Sequence, residues 1–337
     1  MRRILLIVLG IILPVCALAG GVRVPGDQPT VQAAVDAAGP GDTVFVGPGT
    51  YIENVVIRDK EGITLIGTDG AEETIIDGDE KGIVVQLIQN RGTTTVEGLT
   101  LQRGYNMSNG GGLYSERCPV VVRNCRIFDN TGENDGGGIS LINAESYLVE
   151  NCLFERNESI AAAAIGVVGG RGALVRNRVR NNTGGLTISA MFAACDIREN
   201  LIVRNLSTGF GFIGYQMSLG AAVEGNTIAM NLGKEDSGAI LAQFGDLRIS
   251  RNLVVNNDGV CGILVESNDG LVRVHRNNVW KNEGGAYKGP EEGLDGISAD
   301  PLFCSPEKED FRLRSGSPCL GGKGGGTRIG CFDEGCS

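Results

Sequence analysis

Asn200-Leu-Ile-Val-Arg-Asn205, Asn226-Thr-Ile-Ala-Met-Asn231, Asn252-Leu-Val-Val-Asn-Asn257 and Asn277-Asn-Val-Trp-Lys-Asn282 are four copies of one hexapeptide. Carried backwards, the same register starts at Leu99, Cys125, Cys152 and Asn177, with spacings of 23 to 27 residues. Three residues before each start stand Val96, Val122, Val149, Leu174, Ile197, Val223, Ile249 and Val274. Two residues after it stand Leu101, Ile127, Phe154, Val179, Ile202, Ile228, Val254 and Val279. Five after it, Gly104 is followed by Asn130, Asn157, Asn182, Asn205, Asn231, Asn257 and Asn282. A further strand follows each hexapeptide, introduced by small residues such as Gly110-Gly-Gly, Gly136-Gly-Gly and Ala162-Ala-Ala.

One such repeat holds two or three short strands and cannot bury its apolar residues alone. Stacked coils rising about 4.8 Å each place like residues over like. Val and Ile then form continuous inward ladders, and inward Asn at the bends can bond the neighbouring amide and the local backbone. The period is too short for a strand–helix–strand unit or a propeller blade. The reading is an all-β fold, a single-stranded parallel β-helix solenoid over 20–299. Thr30 is expected to cap a short N-terminal helix with the apolar stripe Val31, Ala34, Val35 and Ala38. A cysteine-rich tail, 300–337, is expected to close the other end.

Outside that span, 1–19 reads as an export signal: Arg2 and Arg3, an apolar run from Ile4 to Leu13, then Ala17-Leu18-Ala19. Cys16 admits a lipid anchor, although Pro14 and Val15 do not fit one. An exported bacterial protein is expected, in the periplasm, on the cell surface or outside the cell. No later stretch is apolar enough for an integral membrane span. The net charge of -10 argues against nucleic acid and anionic membranes as partners.

These features resemble the pectin-lyase-like superfamily of right-handed parallel β-helix proteins. Thr30-Val-Gln-Ala-Ala-Val-Asp, Gly41-Asp-Thr-Val and Gly47-Pro-Gly-Thr-Tyr51 look like the N-terminal cap and first coil of many secreted members. The paired small-small-apolar and apolar-x-x-Asn elements look like the repeats of polymorphic outer-membrane proteins. Asp300-Pro-Leu-Phe303 through Ser317-Pro318 is similar to the tail of many bacterial β-helix proteins. The resemblance implies interaction with a polysaccharide. It leaves open whether the chain is an enzyme, since the superfamily holds lyases, glycoside hydrolases, epimerases and adhesins. The polygalacturonase-like and pectate-lyase-like catalytic signatures are missing; His275, the one histidine, lies in Arg273-Val-His275-Arg-Asn. An enzyme here would be a polysaccharide lyase or a glycoside hydrolase.

The register also predicts which side chains face outward. Asp196, Glu224, Arg248 and His275 share a surface and are the candidates for catalysis: a carboxylate, an arginine and a histidine can hold a uronate and move its proton. Arg198, Arg248 and Arg273 are the candidates for binding an acidic glycan. The same residues also fit a solvated face of alternating charges. A second outward column carries Arg156 and Arg204. Tyr114, Phe210, Tyr215 and Trp280 are candidate outward aromatics. No cofactor or metal is expected, although the loop acids Asp135, Asp236, Asp258 and Glu283 are of the type that binds calcium. Among the cysteines, Cys304 is expected to pair with Cys319 and Cys331 with Cys336, which closes short loops. Cys125 and Cys152 stack within disulfide range and fit either a bridge or two buried thiols. The functional reading is a monomeric protein that binds an acidic glycan, with or without processing it, and the alternative is a non-catalytic adhesin or structural surface module.

Overall fold

The structure, a computed structural model, describes residues 20–266, 271–289, 295–321 and 327–336. Residues 1–19, read above as an export signal, lie outside the described residues, Cys16 among them. Three parallel sheets wind together, with 11, 10 and 12 strands among the described residues. The first holds the column from Val96 to Val274, the second the column from Leu101 to Val279, and the third the strands introduced by small residues. Every expected neighbour is paired in register: Val122 faces Val96 and Val149, and Ile228 faces Ile202 and Val254. All of these residues are buried in one continuous core. The chain is thus a parallel β-helix.

Two corners of each coil are built alike. A residue in the left-handed conformation turns the chain, and an inward residue of the Asn column follows it. Arg176, Glu199, Gly225, Arg251 and Arg276 occupy the first corner with φ between 50° and 66°. Asp129, Arg156, Asn181, Arg204, Met230, Asn256 and Lys281 occupy the second with φ between 49° and 58°. The strain of such non-glycine residues is of order 1 kcal/mol each. Asparagine offsets it: Asn205 Oδ1 accepts from the Asn182 amide and from Asn182 Nδ2, both at 3.0 Å. Asn205 Nδ2 donates to Val179 O and to Asn231 Oδ1. A second ladder runs from Asn177 to Asn277 in the same manner. Gly104 heads the first ladder without a side chain because a Cβ there would meet Gly111 O at 2.0 Å.

Cys125 and Cys152 head the second ladder as free thiols. Each substitutes for an Asn amide, with its Sγ 3.6 and 3.7 Å from the Val96 and Val122 carbonyls of the preceding coil. Burial pushes the Cys152 thiol well up, and the neighbouring Cys125 adds to the shift.

The helix spans Val31–Ala37 with Thr30 as its N-cap, its Oγ1 accepting from the Ala33 amide at 3.1 Å. Glu53 from the next coil accepts from the Val31 and Gln32 amides. Val31, Ala34 and Val35 seal the end of the core.

The tail does more than close the far end. It folds back along the outer face of the second sheet, where Leu201, Val203, Ala229, Leu253 and Val255 make that face apolar. Phe303, Phe311, Leu313, Cys319 and Ile329 cover it as a second, smaller core. Glu309 pins the tail through Arg178, Arg180 and Arg204. Arg204, placed by the sequence in the second outward column, is therefore engaged by the tail. Arg156 is likewise engaged, stacked 4.1 Å over Phe128 and paired with Asp129.

The expected tail disulfides are not formed. Cys304 bonds Cys336, with Cα atoms 6.0 Å apart, and Cys319 and Cys331 are free thiols. Loop length was the wrong guide, because a three-stranded sheet decides proximity. Phe303–Ser305 and Glu334–Cys336 both pair with the central strand Asp310–Arg314, which brings the two distant cysteines together. Cys319 instead lies in the second core, where Asn278 Nδ2 donates to its sulfur at 3.0 Å.

Candidate functional site

On the outer face of the first sheet, alternate residues form two columns. Asp196, Ala222, Arg248 and Arg273 stand in one. Arg198, Glu224, Ser250 and His275 stand in the other. The corner column Arg176, Glu199, Gly225, Arg251 and Arg276 flanks them. All the sequence-derived candidates therefore share this face, but not one catalytic point. Glu224 and His275 are two coils apart and Asp196 and His275 three, about 10 and 14 Å at the usual strand spacing.

The charged groups bind one another within and across coils. Arg198 meets Asp196 at 2.6 Å. Glu224 takes Arg251 at 2.8 Å and Arg248 at 3.8 Å. Arg273 reaches Asp246 at 2.9 Å, and His275 Nδ1 lies 3.7 Å from Asp295. Burial pushes the Glu224 carboxyl up, but Arg251, Arg248 and a hydrogen bond from Ser250 outweigh it and hold the group below its ordinary value. A carboxylate so held is ionised, suited to orienting guanidiniums rather than to giving a proton.

At the edge of this face lies a cleft of about 540 Å³, lined by Arg176, Arg198, Glu199, Glu224, Gly225 and Arg251 and, from the tail, Thr327, Arg328 and Gly330. Together the face and the cleft carry seven arginines (Arg176, Arg198, Arg248, Arg251, Arg273, Arg276, Arg328) against seven carboxylates, Glu150, Asp196, Glu199, Glu224, Asp246, Asp295 and Asp333. Opposite charges are thus balanced here, in a chain of net charge -10. Arg176 and Arg251 were legible in principle, since each immediately precedes a ladder Asn. Arg328 had no sequence signal, because its position depends on how the tail folds back.

A second groove of about 380 Å³ runs over the third sheet, floored by Ser189, Gly214 and Leu241 and walled by Ile160, Leu186 and Phe210. Phe210 is 61% exposed. Tyr215 is not an outward aromatic: it is buried between Ala190 and Ala242, whose small side chains leave room for its ring, and its hydroxyl donates to Cys195 O. Tyr114 bonds Glu116, and Trp280 packs against the second core.

The loop acids are dispersed. Asp236 pairs with Lys288 at 3.0 Å, and Glu283 accepts from the Gly259 amide. No group of three or more His, Cys, Asp or Glu side chains suited to a metal occurs among the described residues. Asp135 stands apart: its carboxylate oxygens are inaccessible and have no hydrogen-bond partner of good geometry. Burial raises it from 3.8 to about 6, with the Gly136 amide offsetting part of the shift. The folded state therefore binds this proton more tightly than the unfolded chain. The resulting penalty is complete above about pH 6, fades as pH falls, and is gone below about 3.8. Asp135→Asn is expected to stabilise the protein by about 2 kcal/mol at pH 8 and by almost nothing at pH 3.5. Urea unfolding at the two pH values checks this; an equal effect at both would rule out the buried charge as its cause.

Fold and face together define a solenoid with an arginine-rich side. The family profile described as the right handed beta helix region matches residues 49–216 and 164–289, and the chain belongs to that family. Among solved structures, pectate lyase Pel9A is similar with a TM-score of 0.54 at 17% identity, covering 94% of this chain and 96% of that chain. A pectin methylesterase from Aspergillus niger has a TM-score of 0.42 at 12% identity, covering 84% of this chain and 90% of its own. The A-module of the mannuronan C-5 epimerase AlgE6 from Azotobacter vinelandii has a TM-score of 0.39 at 14% identity, covering 80% and 94%. At these identities the likeness is one of fold. No curated protein matches by sequence. Among the described residues, no helix is long and apolar enough to cross a membrane.

Proposed function

We propose that this is an exported, monomeric protein that binds an acidic polysaccharide along the outer face of the first sheet. The observation that carries the reading is the gathering of seven arginines on that face and its cleft, where they balance the carboxylates of an otherwise acidic chain. Successive coils present side chains about every 4.8 Å, close to the length of one sugar residue, so one extended chain meets several coils. The guanidinium fork matches a carboxylate with two parallel hydrogen bonds. Asp196 and Glu224 orient the arginines. Pectate lyase Pel9A shows that this fold serves an acidic polymer in another protein. The overall negative charge opposes long acidic ligands, so binding is modest and weakens with salt.

The test is titration of the protein with a panel of uronate and sulfated polysaccharides, with assay of new unsaturated or reducing ends alongside. Arg248→Ala combined with Arg273→Ala is expected to abolish binding and leave the unfolding midpoint within about 1 kcal/mol of the parent, because both side chains are exposed ion-pair members. Unchanged binding in the double variant would place the ligand elsewhere. Failure of the parent to bind any acidic glycan would favour the adhesin or structural module.

A further inference from the structure

The groove over the third sheet differs in chemistry from the arginine face. Its floor passes in register through three coils, from Ser189 to Gly214 to Leu241. None of the described residues lining it is charged, in a chain where 21% of residues are. Alternation along the strand makes the floor. Ile188 and Ala190 point into the core, so Ser189 between them points out. Its stack neighbours, Gly166 and Gly214, bring no side chains of their own. The Asp135 carboxylate lies over Gly166, where a Cβ would meet its oxygens at 2.3 and 2.4 Å, and it closes the column toward the preceding coil. Leu186 lies over Gly214 in the same way, its Cδ1 2.6 Å from where a Cβ would stand.

Three polar groups border this apolar surface. Ser189 is 4% exposed, and its hydroxyl has no hydrogen-bond partner among the described residues. Gln216 and Gln243 line the groove in adjacent coils. The Gln216 amide has no partner among the described residues either. Gln243 Nε2 donates to Glu266 at 2.8 Å, which turns its Oε1 free to accept.

The geometry points to this groove as a binding site for an uncharged sugar chain, with Phe210 against the apolar face of a pyranose ring and Ser189, Gln216 and Gln243 bonding its hydroxyls. The volume of about 380 Å³ falls in the range of small-ligand sites, roughly 300–1,000 Å³, and an apolar lining with a few placed polar groups is their usual make-up. A carboxylate or sulfate would lose its water here and find no cation, which excludes the acidic ligand of the first sheet. A plain hydrocarbon chain would cover the Ser189 hydroxyl and the Gln216 amide without bonding either, and a buried group left unpaired is costly. A pyranose meets both demands, with C–H groups on its faces and hydroxyls at its rim. Phe210 and Ile160, 61% and 76% exposed, are the apolar surface that such a ring removes from water. Coils about 4.8 Å apart match the length of one sugar unit, so the three coils take two or three units. The site does not rest on the acidic-glycan reading, since it lies on another sheet and takes another class of ligand.

The experiment is calorimetric titration of the full chain with 1,4-linked tetrasaccharides of glucose, mannose and xylose, and with dodecanol as an uncharged hydrocarbon. The parent is expected to bind at least one tetrasaccharide, with an affinity that does not change with salt. Phe210→Ala and Ser189→Ala are each expected to weaken that binding roughly tenfold. Neither is expected to lower the unfolding midpoint, because Phe210 is largely in water and the Ser189 hydroxyl bonds nothing in the folded chain. Phe210→Tyr, which keeps the ring, is expected to bind as the parent does. Arg248→Ala combined with Arg273→Ala is expected to leave tetrasaccharide binding unchanged, which separates this groove from the first sheet. Tetrasaccharide binding that ignores both Phe210→Ala and Ser189→Ala overturns the site. Dodecanol bound by the parent, and bound more tightly by Ser189→Ala, overturns the sugar in favour of a hydrocarbon ligand. No tetrasaccharide bound by the parent overturns the proposal and leaves the reading of the first sheet standing, whereas tetrasaccharide bound in the groove with no acidic glycan bound anywhere upholds it and overturns that reading.

Discussion

Asn205→Ala is expected to destabilise the protein by about 3–6 kcal/mol, the largest effect of any single change considered. Asn205 Oδ1 is the acceptor for two buried donors of the coil before it, the Asn182 amide and Asn182 Nδ2. Its own Nδ2 serves the Val179 carbonyl and Asn231 Oδ1. Alanine removes all of these at once and admits no substitute, because the position is shut from water. Each buried group left unpaired costs about 1–3 kcal/mol, so even partial rearrangement leaves a cost of several. Equilibrium denaturation measures it as a lowered midpoint at constant slope. Asn181→Gly, one residue earlier and outside the ladder, is the control: the left-handed turn there accepts glycine, and a change under about 0.5 kcal/mol is expected. Similar losses in both would mean that the turn, not the ladder, holds the corner.

Ile228→Ala is expected to cost about 2–5 kcal/mol. Ile228 lies fully buried between Ile202 above and Val254 below. The neighbours are held at strand spacing by backbone hydrogen bonds on both sides, so the coil cannot collapse into the vacated space, which favours the upper part of the range. Glu224→Gln, four residues earlier on the outer face, removes an ion pair with Arg251 that remains partly in water and is expected to cost about 1 kcal/mol or less. Equal, small losses from both variants would contradict the inward and outward assignment.

The sheets were legible because a solenoid repeats its environment. Each inward position meets its own equivalent in the next coil, so Val122, Val149 and Leu174 carry the same demand and the column stands out within a single chain. The outer face was legible to the same extent: Asp196, Arg198, Glu224, Arg248, Arg273 and His275 lie on the surface that the period of two assigns them. Which of them meet was not legible. A salt bridge such as Arg273 with Asp246 depends on side-chain reach and on neighbouring loops, and the period says nothing of either. The left-handed corners were also missed. They are filled by Arg, Glu, Asp, Asn, Met and Lys, where glycine is the usual mark of such a turn, because the buried Asn that follows stabilises the bend whatever precedes it.

By itself, then, the sequence determined the coil, its register, the capping helix with Thr30 at its head and the split between core and surface. All of these are set by contacts between equivalent residues one repeat apart. Only the tertiary structure decided what the non-repeating tail does. The tail covers Leu201, Val203 and Leu253 on the second sheet, joins Cys304 to Cys336 across a small sheet of its own, and carries Arg328 to the rim of the cleft. Residues more than 70 positions apart meet there once each, with Arg328 beside Glu199, Cys331 on Thr227 and Glu309 on Arg178. A contact made once leaves no period to read, and its partner emerges only when the whole chain has folded.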